Sequence, residues 1–252
     1  MASVKAYQSV LKTLRLEQPE DYSYKIDIPT GRVMVLSDVH IPYCDDDMLG
    51  QALHRAKQEQ VETVVFLGDL MDMPTYSFYG NENLNTQFGK ELTHTKMLVN
   101  MFASYFNIYW SRGNHEERFL RKNSYQMTME DLANLVGLGD LVQSGRLVTS
   151  DNPTLYAHNR EWMLFHPDQY GASPLVVPGR LADKFQCNVM SGHAHHWAMG
   201  TNSTGKFTVV ETGGMFNQDL VPWINYKQRT NREWVAGYWI LYEDGTVRGF
   251  RN

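Results

Sequence analysis

Cysteine is almost missing from this chain. Two residues in 252, Cys44 and Cys187, cannot build a disulfide framework, and neither lies in a CxxC pair. A reducing compartment is the simpler setting. Long apolar runs are missing too: no stretch approaches the about 20 residues that span a bilayer, and Met1 to Glu17 is polar and periodic, with no apolar leader segment. A soluble, cytoplasmic protein with no membrane partner is therefore expected. Positive charge is in short supply, with a formal net charge of −5. That argues against a general duplex-nucleic-acid binder, which carries a basic face. It leaves room for a nucleotide or a short single-stranded nucleic acid, because metal ions could balance the ligand's charge. Linkers, internal repeats and low-complexity tracts are also lacking. The chain reads as an N-terminal helix and connector over residues 1–30, then one domain over residues 31–252. Its 42% hydrophobic and 20% charged residues suit a globular chain with a sizeable core.

What is present is an ordered series of apolar runs, each ending in a polar residue of interest. Val33 to Ser37 and Thr63 to Leu67 are continuous apolar stretches of strand length, the pattern of strands covered on both faces. Between them a helical stretch runs to about Gln60, opened by Asp45-Asp46-Asp47, whose charge suits a helix N-terminus better than a metal site. The spacing fits a right-handed βαβ unit. Residues 73–88 read as a long loop carrying Tyr76, Phe78 and Tyr79. These form either an aromatic wall for a base or, the favoured reading, a loop packing its own hydrophobic residues. A helix over about 86–105 follows, with Leu92, Met97, Leu98, Met101 and Phe102 expected inward and His94 on the surface. Asn107 to Ser111 makes a third strand, and residues 117–136 a helix ended by Gly137 and Gly139. Beyond Leu147 shorter segments take over: 154–158, 161–165, 189–191, 197–201 and 206–211, interrupted by a helix over 174–185. A hairpin over 235–242 and 246–251 turns at Asp244-Gly245. A βαβαβ half followed by a more antiparallel half predicts an α/β (α+β) four-layer sandwich, two packed sheets with flanking helices. Residues 3–17 carry Val4, Tyr7, Leu11 and Leu14 at helical spacing.

The chemistry gathers at the strand ends. His40, His115, His166, His193 and His195 follow apolar runs, joined by Asp38, Asp69 and Asn114. Imidazoles and carboxylates without thiolates suit borderline or hard divalent ions: manganese, iron or zinc, less comfortably magnesium. Asp38-Val39-His40 and His193-Ala194-His195 each set two side chains on one face of an extended strand end. Gly68 and Gly113 place a small residue before Asp69 and Asn114, so backbone can approach closely.

These residues fall into five ordered blocks: Asp38/His40, Gly68-Asp69/Asp72, Gly113-Asn114-His115-Glu116, His166 and Gly192-His193/His195. In that order and spacing the chain resembles the calcineurin-like metallophosphoesterases. The resemblance implies one ion held by Asp38, His40, Asp69 and His195, and a second held by Asp69, Asn114, His166 and His193. Asp69 bridges them, and the pair clamps a phosphoryl oxygen and shares a hydroxide for in-line attack. Manganese is the first choice of ion, with iron, zinc and nickel as further candidates. His115 is implied as general acid, oriented by Asp72, with Asn114 and His115 contacting substrate. Two positions depart from the pattern. Met73-Pro74 stands where protein phosphatases continue with arginine, which tilts the reading from phosphomonoesters toward phosphodiesters of nucleotides or short nucleic acids, although Arg112 and Arg118 are nearby cations. His166 is followed by proline where glycine is usual, and His158 is its rival, on a turn-like stretch. Gly213 to Phe216 either closes the site or is a plain turn. A phosphomonoesterase and an inert metal-binding scaffold are the alternative functions.

Overall fold

The computed structural model describes residues 25–76, 88–221 and 234–251. The amphipathic stretch 3–17, and Phe78 and Tyr79 of the long loop, lie outside those residues.

Apolar runs that alternate strictly between two covered faces fix the first sheet. Strands β1 (Ile26–Asp27), β2 (Val33–Leu36), β3 (Thr63–Leu67) and β4 (Asn107–Ser111) are the first four in the chain. In β2 to β4, Met34, Leu36, Val64, Phe66, Ile108 and Trp110 point to one core, while Val33, Val35, Val65, Leu67 and Tyr109 point to another. This period of two is the strand's own geometry. Helices α1 (Asp46–Gln58), α2 (Phe88–Ala103), α3 (Asn114–Lys122), α4 (Met129–Val136) and α5 (Gly139–Gln143) follow in the first half. Met48, Leu49, Ala52 and Ala56 of α1, Val99 and Phe102 of α2 and Leu132 of α4 close the outer core. Asp45 caps α1 by accepting from the Met48 amide at 2.9 Å, so the acidic triplet serves the helix end as expected.

The second half supplies β5 (Leu147–Ser150), β6 (Thr154–Ala157), β7 (Trp162–Phe165), α6 (Val176–Phe185), β8 (Asn188–Ser191), β9 (Trp197–Thr201) and β10 (Thr208–Thr212). Strands β11 (Gly237–Leu241) and β12 (Val247–Arg251) complete it. One sheet has the order β12-β11-β2-β3-β4-β5 and the other β1-β6-β7-β8-β10-β9. Leu155, Leu164, Met190 and Val210 of the second sheet meet the inner face of the first. Ala182 of α6 packs on Tyr156, Met163, Val189 and Val209 outside it. The layers therefore run helix, sheet, sheet, helix, as expected. No helix among the described residues is long and apolar enough to cross a membrane.

Each sheet has three parallel and two antiparallel pairings, yet all four antiparallel ones involve strands beyond Leu147, so the second half is the more antiparallel one, as expected. Several other expectations are corrected. The terminal hairpin does form, but β11 pairs with β2 (Trp239 beside Val35) and so belongs to the first sheet. β5 joins that sheet too, parallel to β4, and β1 joins the second. The helix expected over 117–136 is two helices, α3 and α4. Gly137 ends α4 in the left-handed region (φ 85°), but Gly139 opens α5 instead of ending a helix. On α2, His94 is exposed as expected, but so are Met97 and Met101, at 65% and 40%. Phe102 is buried and Leu92 and Leu98 pack against the core as expected, while Glu91, Thr95 and Val99 are buried in place of the two methionines.

Candidate metal centre

In each sheet parallel strands end at the same rim, and the two rims meet. From the first sheet come Asp38 and His40 after β2, Asp69 and Asp72 after β3, and Asn114 and His115 at the start of α3 after β4. From the second come His166 after β7 and His193 and His195 after β8. All nine residues that the motifs single out lie in this one place, and Asp38, His40, Asp69, Asp72, His115, His166 and His195 are buried.

Two groups of donor atoms converge. His40 Nε2 lies 3.4 Å from His195 Nε2, and Asp38 Oδ1 lies 3.1 Å from His195 Nε2. His166 Nε2 lies 3.2 Å from Asn114 Oδ1 and 3.3 Å from Asp69 Oδ2, and Asp69, His166 and His193 form a compact trio. The far side of two rings is already engaged: His40 Nδ1 with Asp72 Oδ1 at 2.9 Å, and His166 Nδ1 with the Leu67 carbonyl at 2.8 Å. With the proton on Nδ1, each Nε2 presents its lone pair to the cluster. Lone pairs and carboxylate oxygens this close repel unless a cation lies among them, so the donor set fits divalent ions. The titration behaviour agrees. Burial opposes ionisation of Asp38 and Asp69, yet His195 and His166 hold the first, and His115 and His166 the second, below the ordinary carboxylate range. Burial likewise opposes charge on His166, but Asp69 and Asp38 push its pKa up to about 10. Two buried carboxylates thus keep a proton as counter-charge, the position a metal ion takes over on binding.

The local backbone corrects the reason expected for the Asp-x-His and His-x-His pairs. They are not extended strand ends. Asp38, His40, Asp69, His193 and His195 have φ of 53°, 50°, 50°, 73° and 57°, the left-handed region that side-chain-bearing residues seldom adopt. Strained single residues of this kind cluster where surrounding structure over-determines them. Here the Asp38 amide donates to the Gly68 carbonyl and the His40 amide to the Asp69 carbonyl, stitching the two loops together. Gly113 makes a close approach that a side chain would forbid. A Cβ on it would lie 2.2 Å from Asp69 Oδ1, so only glycine lets α3 begin there.

Glu116 is the member that the sequence reading named in its motif but gave no task. Fully buried, it accepts from the Asp69 and Gly113 amides at 2.9 Å through Oε2 and from the Met71 amide at 3.1 Å through Oε1. It joins the second block to the third. Phe216 was also undervalued: its ring packs on His40 and His195, at 5.1 and 4.8 Å between centroids, and the Met215 amide donates to the Asp38 carbonyl. The segment from Gly213 therefore closes the centre. Asp72 lies against His115 as expected, but chiefly through its backbone. Its carboxylate meets His40, whereas its backbone carbonyl accepts from His115 Nδ1 at 2.5 Å. His158 lies elsewhere, against the Gly31 carbonyl at 3.0 Å. Tyr76 packs on Phe88 and Phe119, the self-packing reading of its loop. His196 meets Glu211 Oε2 at 3.1 Å behind the centre.

Glu91 is a residue that no motif marks. Its Oε1 accepts from the Met73 amide at 2.6 Å, and burial, with Asp72 and Glu116 nearby, pushes its pKa from an ordinary 4.5 up to about 8. A raised carboxyl pKa means the fold prefers the protonated form. That contribution to stability is complete below about pH 4.5 and is lost as pH rises through about 8. The loss runs at up to about 1.4 kcal/mol per pH unit between those values. In chelated protein, urea unfolding at pH 6 and pH 9 should show a decline that Glu91→Gln flattens, since the amide keeps the Met73 bond and has no proton to lose. An equal decline in both proteins would show that Glu91 is not its source.

Gene 54 protein of Mycobacterium phage D29 is 24% identical over 236 residues, covering 85% of this chain and 89% of that protein. Among solved structures, an archaeal phosphodiesterase is 16% identical with a TM-score of 0.49, covering 88% of this chain and 99% of the other. Yfce, a phosphoesterase from E. coli, is 14% identical with a TM-score of 0.42, covering 87% and 98%. The model of one family, calcineurin-like phosphoesterase, matches residues 31–220, a span that takes in all five blocks. Those blocks, the two-sheet frame that brings them together and the match over most of the chain place this protein in the calcineurin-like phosphoesterase family, as a metal-dependent hydrolase.

Proposed function

We propose that the protein hydrolyses phosphodiesters of nucleotides or short single-stranded nucleic acids at a two-metal centre, with manganese preferred over iron, zinc or nickel. The observation that carries this reading is the pair of donor clusters at the joined sheet ends, with Asp69 in one and near enough to the other to act electrostatically on Asp38, His40 and His195. In it Asp38, His40, Asp69 and His195 would hold one ion, and Asp69, Asn114, His166 and His193 the other. When bound, such a pair neutralises a phosphoryl oxygen and acidifies a water for attack.

The chain's own residues would do the rest. Asp72 fixes two rings, His40 through its carboxylate and His115 through its carbonyl. With Nδ1–H of His115 committed to that carbonyl, Nε2 is the atom left to pass a proton to the departing oxygen. Burial draws the His115 pKa down to about 4, and a phosphoester anion arriving beside the ring brings the negative charge that favours imidazolium. Asn114 turns Oδ1 toward His166, leaving its NH2 as a donor for a phosphoryl oxygen. The preference for diesters is supported by Met73, buried in the hydrophobic core where a phosphatase carries its arginine. A phosphomonoester dianion profits more from such a cation than a diester monoanion does.

The test is hydrolysis of matched aryl mono- and diesters by manganese-loaded enzyme, followed by a nucleotide panel. The diester should be favoured in kcat/KM by at least about tenfold, near 1.4 kcal/mol in the transition state. The reverse order would assign a phosphomonoesterase, and no turnover of either an inert scaffold.

A further inference from the structure

Away from the centre, a cavity of about 470 Å³ opens at the edge of the sandwich, between α1 and the edge strands β9 and β12. That volume lies in the range of sites for small organic ligands. Its walls include His54 and Arg55 from α1, Trp197 from β9 and Phe250 and Arg251 from β12, with no carboxylate among the lining residues. In a chain of net charge −5 this is a local reversal of sign. Three guanidinium groups gather on its aromatic rings: Arg55 and Arg248 lie 4.9 and 5.2 Å from the Phe250 centroid, and Arg251 lies 4.8 Å from that of Trp197. Among the described residues no carboxylate comes within 4 Å of Arg248 or Arg251. Arg55 meets Glu59 at 3.7 Å, a half-exposed pair that neutralises it weakly.

The position of the cavity is as informative as its charge. Gly237 pairs with Arg251, and β11 runs antiparallel to β2. Arg251 therefore lies at the end of the sheet where the centre is, and Trp197 follows His195 by two residues. His54 and Arg55 stand near the other end of α1. The cavity accordingly runs from beside the centre down the edge of the molecule.

We infer that this cavity is a second binding site, for the phosphate and base of one nucleotide unit. Guanidinium forks match phosphate oxygens in pairs, and a guanidinium lying on an aromatic ring offers its other face to a base. The unit could belong to a free mononucleotide or to a single strand, and the chemistry recognised is the same. The inference does not depend on hydrolysis at the centre.

Isothermal titration of the full chain with 5′-AMP and with a thymidine hexanucleotide tests it, comparing wild type, the double variant Arg55→Ala/Arg251→Ala, and Asp69→Asn. The double variant should bind at least about tenfold more weakly, as expected for lost charge-assisted bonds, while small aryl-ester hydrolysis stays at the wild-type level. Asp69→Asn should retain the binding. Binding of the hexamer alone that the double variant weakens identifies a strand as the source, and binding of 5′-AMP as well identifies the free nucleotide; either supports the site. Equal affinity in wild type and double variant, or no binding of either ligand up to about 1 mM, overturns it. Should the double variant fail to fold, Arg251→Gln at the exposed strand end gives the same comparison.

Discussion

Asp69→Asn should release both metal ions at once. Asparagine is the telling replacement because its Oδ1 can still accept from the His115 amide, a bond of 2.8 Å in the native protein, so the start of α3 stays in place. What disappears is the negative charge that lies against both His115 and His166. With one carboxylate serving two ions, affinity for each should fall by more than the about 10–100-fold typical of losing an outer partner, and turnover should follow. Metal content after desalting, read by elemental analysis, separates the possibilities. Near-zero occupancy fits a shared ligand. Retention of one full equivalent would show that Asp69 serves a single ion, and full activity in excess chelator would remove the metal model altogether.

His115→Ala should behave in the opposite way, leaving metal content near normal while slowing turnover about 10²–10⁴-fold. The ring donates to the Asp72 carbonyl and lies 3.7 Å from Asp69 Oδ2 through Nε2, so it borders the donor clusters with one nitrogen free to act on a substrate. The loss should shrink for an ester with a good leaving group, which departs with little help from a proton. A Brønsted plot across substituted aryl esters makes that comparison. Equal loss for good and poor leaving groups would refute proton donation and leave His115 a role in positioning alone.

The parts of this molecule that were legible in the sequence are those in which short-range chemistry and fold agree. Strands β2, β3 and β4 read as strands because both faces are covered, and an apolar run then has no interruption. Their terminal Asp and Asn residues stood out because a carboxylate directly after such a run has few structural uses. The faults came from non-local choices. β5, Leu-Val-Thr-Ser, is too short to show a period, and nothing within the hairpin at 237–251 says which sheet it joins. On α2 the sequence pattern places Leu92, Leu98 and Phe102 correctly but not Met97 and Met101, because Glu91 and Thr95 are buried in their stead, Glu91 accepting from the Met73 amide. The left-handed conformations at Asp38, His40 and Asp69 were hidden as well, since such residues reveal φ only through the loops that hold them.

The placing of β11 between β12 and β2 has a consequence for synthesis on the ribosome. β2 and its partners in the βαβαβ half emerge early, but the hydrogen-bonding edge of β2 that β11 fills stays open until residues 237–241 have left the exit tunnel. β11 is buried along its whole length, so until it emerges the nascent chain carries an exposed strand edge flanked by apolar surface. Open edges of that kind recruit other chains. The βαβαβ half thus stays open-edged from the emergence of β4 until that of β11, the interval in which a chaperone's cover counts most.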